Sequence, residues 1–193
     1  MKKIVIVGLL IFCVNISKAQ QYLDYQLRLE PVWSRVADAL GEPGSVESVE
    51  FSPDGKYLVS GTKYDNSVDY LVTIYDAKSG EIVKKIKQNK AIDGLTWSHN
   101  GNLLVVGEEK TDLKDGKTEG FVRMYEIPSG KEAKAINFGS TVNELFFSDD
   151  DQYLLAVGHG SVKVYKVSDW SLIQTLAPEY DTVFTSGVFS PDG

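Results

Sequence analysis

The sequence predicts an all-β fold of repeated four-stranded antiparallel units, and three observations support this prediction. An aromatic residue followed by serine recurs at Phe51, Trp97, Phe147 and Phe189, with spacings of 46, 50 and 42 residues. Each complete unit contains four short segments rich in Val, Ile, Leu and aromatic residues, which is the composition of strands. Tight-turn sequences separate these segments. A period of about 40–50 residues with four strands per period is typical of β-propeller blades.

Three complete units align along the chain. They read VEFSPDGKYLVSG (49–61) with LVTIYDAKSGEIVKKI (71–86), LTWSHNGNLLVVG (95–107) with FVRMYEIPSGKEAKAI (121–136), and LFFSDDDQYLLAVG (145–158) with VKVYKVSDWSLIQTL (162–176). Blades are therefore expected at about 46–86, 92–136 and 142–176, followed from 183 by the first strand of a fourth. Because side chains alternate along a strand, the first strand should present two opposite sets of residues: Glu47, Val49 and Phe51 on one side, and Val46, Ser48 and Glu50 on the other.

The turn after the first strand of each unit is explained by its residues. In Ser52-Pro53-Asp54-Gly55, proline fixes the backbone angle of the second turn position, and glycine adopts the left-handed conformation that starts the next strand. The second unit has Ser98-His99-Asn100-Gly101, without proline. In the third unit Asp151 replaces the glycine, which is tolerable because aspartate visits positive φ at modest cost. The run Asp149-Asp150-Asp151 is therefore interpreted as a turn rather than as paired catalytic carboxylates.

Residues 1–19 are predicted to be a signal peptide, so that the mature chain begins at Gln20. Two lysines form a positive start, Ile4 to Val14 is an eleven-residue apolar stretch, and Ser17-Lys18-Ala19 supplies the small residues that a signal peptidase recognises. Eleven apolar residues are too few to cross a bilayer, which takes about 20. A buried strand or an uncleaved anchor is the alternative. Cleavage predicts an exported bacterial protein, periplasmic or extracellular, without membrane insertion.

Cleavage would also remove Cys13, the single cysteine, so no disulfide, thiol nucleophile or zinc–thiolate site is expected in the mature protein. The formal charge of the whole chain is −7. Loss of three lysines leaves 17 of the 20 basic residues against 27 acidic ones, a formal charge of −10. Such a surface repels phosphate backbones and anionic lipid head groups, so neither nucleic acid nor a lipid surface is an expected partner.

The pattern xFSPDGxxLxSG followed by xxxxYDxxSGExxxxI resembles the WD-repeat family over residues 46–193, and the chain is identified as a degenerate, exported bacterial type of this family. The resemblance implies a β-propeller. The Gly-His pair that precedes the first strand in the family is absent, and the Trp-Asp pair reads Tyr75-Asp76, Tyr125-Glu126 and Tyr165-Lys166. The family's buried His–Ser–Asp–Trp network therefore cannot form. Apolar packing between blades is expected instead, with the three tyrosines in the core.

The resemblance also implies how a ring would close. Propellers have about 4–8 blades, so the chain is interpreted as the N-terminal fragment of a longer protein whose remaining blades are missing. A seven-bladed ring of this period needs roughly 320 residues. Pairing of two copies is the alternative. In such rings the segment before the first inner strand latches the last blade, and residues 20–45 contain a candidate strand at 26–36. A short helix there is the alternative, because apolar residues at 33, 36, 37 and 40 follow a helical spacing. The strand is favoured because an extended segment leads into it.

The two ends of the blades differ in loop length, and this difference predicts the binding face. Turns between the first and second strands, and between the third and fourth, are tight in every unit. Loops between the second and third strands are long in the first two units (62–70 and 108–119) and reduced to His159 in the third. Insertions that collect on one end of a repeat protein usually mark its binding face. Acidic residues are frequent there: Asp65, Asp69, Asp93, Glu108, Glu109, Asp112, Asp115 and Glu119.

This loop-rich end is therefore the predicted binding surface. Its acidic loops suit a cation or a basic partner, but the run at 112–116 lacks the ligand spacing of a calcium loop, and three lysines in that loop oppose a cation. A solvated loop of mixed charge is the alternative interpretation. No metal site and no cofactor are expected. The candidate binding residues are Lys63, Tyr64, Asp65, Asn66, Asp69, Asp93, Asp112, Asp115 and Asn143.

Two functions are compatible with these features. The first is an exported scaffold that binds a protein, or a small-molecule or carbohydrate ligand, through the loop-rich end. The alternative is part of a secreted propeller enzyme, resembling lactonases or polysaccharide lyases, with Asp93 and Asn143 at the central channel. No catalytic residue can be assigned, since His99 and His159 are interpreted as exposed turn residues and no serine lies in a nucleophile elbow. Whether the chain is an enzyme is left open.

Overall fold

The computed structural model describes residues 2–7, 10–16, 30–36, 45–63, 70–109, 111–112, 118–177 and 182–190 of the chain. None of these ranges contains a helix with the length and apolarity needed to cross a membrane. The first three strands form a separate antiparallel sheet: β1 (Lys2–Val7), β2 (Leu10–Ile16) and β3 (Glu30–Val36). The candidate latch at 26–36 is thus a strand from residue 30 onward, paired with β2. Its role as a latch, and the signal peptide at 1–19, stay predictions.

Three four-stranded antiparallel sheets follow and form three blades, each with its strands in chain order. Blade 1 consists of β4 (Ser45–Phe51), β5 (Tyr57–Lys63), β6 (Tyr70–Asp76) and β7 (Ile82–Gln88). Blade 2 consists of β8 (Ile92–Trp97), β9 (Leu103–Glu108), β12 (Phe121–Glu126) and β13 (Lys131–Asn137), with the two-residue strands β10 (Thr111–Asp112) and β11 (Thr118–Glu119) paired in its long loop. Blade 3 consists of β14 (Val142–Phe147), β15 (Tyr153–Gly158), β16 (Ser161–Lys166) and β17 (Ser171–Leu176). The predicted all-β fold of four-stranded blades is confirmed.

Apolar side chains fill the space between neighbouring blades. Between blades 1 and 2, Val59 and Val72 pack with Leu104 and Val106 of the next blade in one buried cluster. A second cluster fills the space between blades 2 and 3. The recurring tyrosines belong to this interior, because Tyr75, Tyr125 and Tyr165 are only 4%, 4% and 3% exposed, as the sequence predicts.

Each first strand contains a β-bulge, and this feature corrects the predicted alternation in β4. Pairing skips one residue at the same position of each blade, namely Glu47, Asp93 and Asn143. A bulge inserts one unpaired residue and shifts the side-chain pattern before it by one position. Val46 therefore packs with Val49 and Phe51 against the same buried cluster, whereas strict alternation wrongly placed Glu47 there.

The three turns after the first strands share one hydrogen-bond pattern. In blade 1 the Ser52 hydroxyl donates to Asp54 Oδ1 at 2.7 Å and accepts from the Tyr57 backbone N–H at 2.9 Å. Equivalent bonds form at Ser98 and Ser148. The last turn position has positive φ in each blade, with values of 69°, 73° and 56° at Gly55, Gly101 and Asp151. The residues predicted to make tight turns do so.

The start of the fourth unit lies against blade 3. Val183 forms an isolated antiparallel bridge with His159, and the Gly160 N–H donates to the Thr182 carbonyl at 2.8 Å. The described residues 182–190 form no regular strand. They contact blade 3 through this bridge, through further hydrogen bonds and through packing.

Candidate functional site

The three bulge residues, Glu47, Asp93 and Asn143, occupy equivalent positions at the loop-rich end. First strands of neighbouring blades contact one another, β4 with β8 and β8 with β14, so they form the inner wall of the propeller. Each bulge lies near the start of its strand, beside the end of the second strand, from which the long loops emerge. Bulges are frequent next to functional sites because they redirect a side chain. The fold thus repeats a polar residue along the inner wall at this end.

The bulge residues differ in exposure and in bonding. Glu47 is exposed, whereas Asp93 and Asn143 are half-buried. Asn143 Nδ2 donates a hydrogen bond of 2.6 Å to the carbonyl oxygen of Phe184, which belongs to the fourth unit. Asn143 therefore has a structural role in holding the next segment, while the two carboxylates give this wall an acidic character that suits hydrogen-bond donors and cations.

The structure describes only part of the predicted site. Asp93 and Asn143 are brought to equivalent positions of adjacent blades. Lys63 lies in β5 and Asp112 in β10, and at these two positions only the backbone is described. The other candidates lie outside the described residues: Tyr64, Asp65, Asn66, Asp69 and Asp115. Within the described ranges, no group of three or more histidine, cysteine or acidic side chains could hold a metal ion. The channel-enzyme alternative stays a prediction.

Glu108 does not belong to the solvated acidic surface, contrary to the sequence prediction. Its side chain is fully buried, and its Oε1 lies 2.7 Å from Nε of Arg123. A second carboxylate, that of Glu132, lies 3.0 Å from the same guanidinium group. Burial raises the pKa of Glu108, and the hydrogen bond from Arg123 partly offsets this effect. Its Oε2 has no hydrogen-bond partner within the described part of the chain.

Other polar contacts connect neighbouring blades beside the apolar clusters, to which Tyr125 and Phe138 also belong. The Tyr125 hydroxyl donates to Gln88 Oε1 at 3.0 Å and links blade 2 to blade 1. Burial raises the pKa of Tyr125 to about 12, which keeps this donor protonated. Lys163 Nζ donates to the Phe138 carbonyl at 2.6 Å and lies 4.4 Å from the centre of the Phe138 ring. Burial lowers the pKa of Lys163. These contacts fix the blades that carry the bulge residues.

The opposite end, where the tight turns lie, contains a contact that the sequence does not reveal. His99 Nδ1 lies 2.8 Å from Asp151 Oδ1, and the backbone N–H groups of His99 and Asn100 donate to the same carboxylate at 2.8 and 3.0 Å. Burial would raise the pKa of Asp151, but these hydrogen bonds lower it below its usual value. The sequence signal of this contact is Asp151 itself, which stands where the other two turns have glycine.

His159 differs from His99 in how it is held. Its N–H donates to the Thr141 carbonyl at 3.1 Å, and its carbonyl accepts from the Ser140 hydroxyl at 2.6 Å. It is half-buried and bridges to Val183. His99 is an exposed turn residue, as predicted, and is also held by Asp151. His159, at the other end of the blades, is half-buried, so the prediction of an exposed residue is wrong there.

A cleft of about 430 Å³ lies at the tight-turn end between blades 1 and 2. Its walls come from the first turn of blade 1 and from two turns of blade 2. The lining includes Pro53, Tyr57, His99, Asn102, Ile127 and Pro128. The cleft is not visible in the sequence, because its walls combine residues 52–57 of blade 1 with residues 99–102 and 127–128 of blade 2.

Comparison with known proteins agrees with this architecture. The family model described as "WD domain, G-beta repeat" matches residues 36–76. A WD repeat-containing protein of the cyanobacterium Synechocystis, itself uncharacterised, is 26% identical over 93% of this chain and 48% of its own length. The small ribosomal subunit protein RACK1y of rice is 27% identical over 72% of this chain and 38% of its own length. The chain thus spans about half the length, or less, of these relatives.

Solved structures show the same fold. The crystal structure of RRP9 WD40 repeats superposes with a TM-score of 0.61 at 20% identity, over 73% of this chain and 41% of that one. Hydrazine synthase of Kuenenia stuttgartiensis gives a TM-score of 0.59 at 17% identity, over 71% of this chain and 36% of that one. The repeats, the three blades and these matches agree: the chain is a WD-repeat-like β-propeller.

Proposed function

We propose that the chain is an exported protein-binding scaffold whose loop-rich end contacts a basic segment of its partner. A WD-repeat-like propeller is typically a scaffold for protein interactions, so the fold supports the general class. The observation that carries the specific proposal is the β-bulge repeated in three successive blades, which sets Glu47, Asp93 and Asn143 at one end of the inner wall. The long loops of blades 1 and 2 emerge at that same end.

Electrostatics favours a basic partner. The whole chain carries a formal charge of −7. Two of the three bulge residues are carboxylates. A protein surface of one sign attracts segments of the opposite sign and speeds their association, most strongly at low salt.

Selection from a random peptide library displayed on phage would test this proposal. The immobilised chain should enrich peptides rich in lysine and arginine, and Glu47→Lys should reduce their capture at least tenfold. Asp149→Lys is the matched control, because Asp149 is exposed at the opposite, tight-turn end and its substitution makes the same charge change. Equal losses in both variants would mean that net charge alone drives capture, and the proposal would be wrong.

Export is a separate part of the proposal and has its own test. The positive start, the eleven-residue apolar stretch and Ser17-Lys18-Ala19 support it. Intact mass and N-terminal sequencing of the protein isolated from its native source should give Gln20 as the first residue. A chain that retains Met1 would contradict export by cleavage. The same mass would also report whether further blades follow in the native protein.

A further inference from the structure

The two blade junctions at the tight-turn end are built differently. At the junction of blades 2 and 3, Asp151 reaches across and ties down the turn that contains His99 and Asn100. Gly101 occupies the equivalent position of blade 2, facing the turn of blade 1. A Cβ atom added to Gly101 would meet only Pro53 Cδ, at 3.9 Å. The space that a side chain fills at one junction is therefore open at the other, and the cleft lies there.

The sequence of blade 1 explains why this junction stays open. Pro53 stands where blade 2 has His99, and proline has no backbone N–H to offer a carboxylate. An aspartate at position 101 could therefore not form the counterpart of the hydrogen bond that Asp151 accepts from the His99 backbone N–H. The open junction instead presents apolar surface from separate turns, including the exposed Pro53 and Pro128.

The ionisable groups at the cleft, Asp54 and His99, are each paired with another side chain. Asp54 lies 2.8 Å from Lys56 Nζ, so its charge is compensated. The Asp151 carboxylate can only accept, so the proton of that contact lies on His99 Nδ1, and Nε2 is the ring nitrogen that is left for a further hydrogen bond. Among the described residues, neither His99 Nε2 nor the side-chain amide of Asn102 has a hydrogen-bond partner. The cleft thus offers a ring nitrogen and an amide beside apolar walls.

We propose that this cleft is a second binding site, which takes one apolar side chain of an extended, uncharged peptide segment of a partner protein. Pro53, Ile127 and Pro128 pack against the side chain, while His99 Nε2 and the Asn102 amide form hydrogen bonds with the peptide groups on either side. A volume of about 430 Å³ lies within the range of about 300–1,000 Å³ that is usual for ligand sites. The site lies at the opposite end from the basic-segment surface and is independent of it.

Gly101→Asn tests the proposal by filling the cleft. Asparagine adopts positive φ at low cost, and Asp151 shows that a side chain of this shape is accepted at the equivalent position. Gly55→Asn is the matched control, because Gly55 has a similar φ, no atom lies within 4 Å of its added Cβ, and it is absent from the cleft wall. Thermal unfolding of both variants should first show that the turns tolerate the substitution.

The probe is the same phage-displayed random peptide library, selected on the whole chain. We expect enrichment of uncharged peptides with a shared apolar position, at least tenfold weaker capture by Gly101→Asn, and unchanged capture by Gly55→Asn and Glu47→Lys. Asn102→Ala should weaken capture as well. The proposal is overturned if no uncharged peptide is enriched over bare support, or if Gly101→Asn captures these peptides as well as the wild type does. It is also overturned if both glycine variants reduce capture equally. If only Glu47→Lys reduced the capture of these peptides, they would bind at the loop-rich end, and the proposal would be wrong.

Discussion

Glu50 and Glu108 are two carboxyl groups buried near the boundary of blades 1 and 2, and they are stabilised differently. Glu108 lies against the guanidinium group of Arg123. Burial raises the pKa of Glu50 to about 7, with only partial compensation from the Trp97 backbone. The Oε2 atom of Glu50 has no hydrogen-bond partner among the described residues. The folded protein therefore favours the protonated form of Glu50 and the charged form of Arg123.

Replacing Glu50 with glutamine should remove a pH dependence of stability. The ordinary pKa of 4.5 in the unfolded chain is lower than about 7 in the folded one, so the folded state binds more protons between these values. The free energy of unfolding therefore falls as pH rises from about 4.5 to 7. Glu50→Gln should be more stable than the wild type at pH 8, by at most about 3 kcal/mol, and equal near pH 4. Urea denaturation at both pH values measures this, with the exposed Glu47→Gln as control. Parallel pH profiles for wild type and Glu50→Gln would contradict it.

Removing the Arg123 cation alone should destabilise the protein far more than removing the charges of Arg123 and Glu108 together. Arg123→Met leaves the buried Glu108 carboxylate without its partner, and breaking one side of a buried ion pair costs about 3–5 kcal/mol. Glu108→Gln in the same chain should recover a large part of that loss. A double-mutant cycle by chemical denaturation measures the coupling between the two residues. Strictly additive losses would show that the ion pair is not the source of the effect.

At the scale of strands, close backbone approach at the loop-rich end depends on glycine. Gly120 precedes β12, and a Cβ atom added there would lie 1.9 Å from the Ser140 carbonyl oxygen. No flexible side chain is available to move, because the clash is with backbone. Gly139, nearby in the connection to β14, differs: its φ is 93°, and a Cβ atom added there meets nothing within 4 Å.

These two glycines allow steric overlap and backbone strain to be separated. Gly120→Ala should destabilise the protein by more than about 3 kcal/mol, beyond the usual range for one substitution. Gly139→Ala should cost about 1–2 kcal/mol, the penalty of a left-handed conformation. Thermal or urea unfolding distinguishes them. Similar losses in the two variants would mean that blade spacing adjusts more easily than the backbone contacts imply.

The sequence predicted the strands and turns because these depend on local patterns. Four-segment units and the serine-containing turns are visible in one repeat at a time. The bulge at Glu47 was not predictable, because an unpaired residue is defined only by the register between two strands. The pairing of Arg123 with Glu108 likewise depends on a register, the one between β9 and β12. The cleft arises from how two blades meet, where Gly101 faces Pro53, and no single segment encodes that geometry.

At the scale of the whole molecule, the outer strands of the three blades differ in charge. β7 contains three lysines and β13 contains Lys131, Glu132 and Lys134, whereas β17 reads SLIQTL and has no charge. In β17, Leu172, Ile173 and Leu176 are 52%, 54% and 58% exposed. Charged residues on edge strands protect a sheet from pairing with other sheets. β17 is without this protection.

The chain should therefore self-associate through β17 in a concentration-dependent manner. Ile173→Lys combined with Leu176→Lys should shift sedimentation toward a monomer, because lysines on an edge strand oppose pairing. Val83→Lys in β7 is the control, since that strand already carries lysines and its substitution should change little. Analytical ultracentrifugation over a concentration series measures both. A monomeric wild type at all concentrations would exclude the edge as an association site.

The contact between Asp151 and the His99 turn has a consequence for how the molecule opens locally. It joins the first turns of blades 2 and 3 into one cooperative unit, while the corresponding turn of blade 1 is outside that unit. Amide hydrogens of the blade 2 and blade 3 turns should therefore exchange with solvent in a single correlated event, and those of the blade 1 turn should exchange earlier and separately. At the tight-turn end, the junction of blades 1 and 2, which contains the cleft, would then open most easily. A peptide bound in the cleft would slow amide hydrogen exchange mainly at that junction.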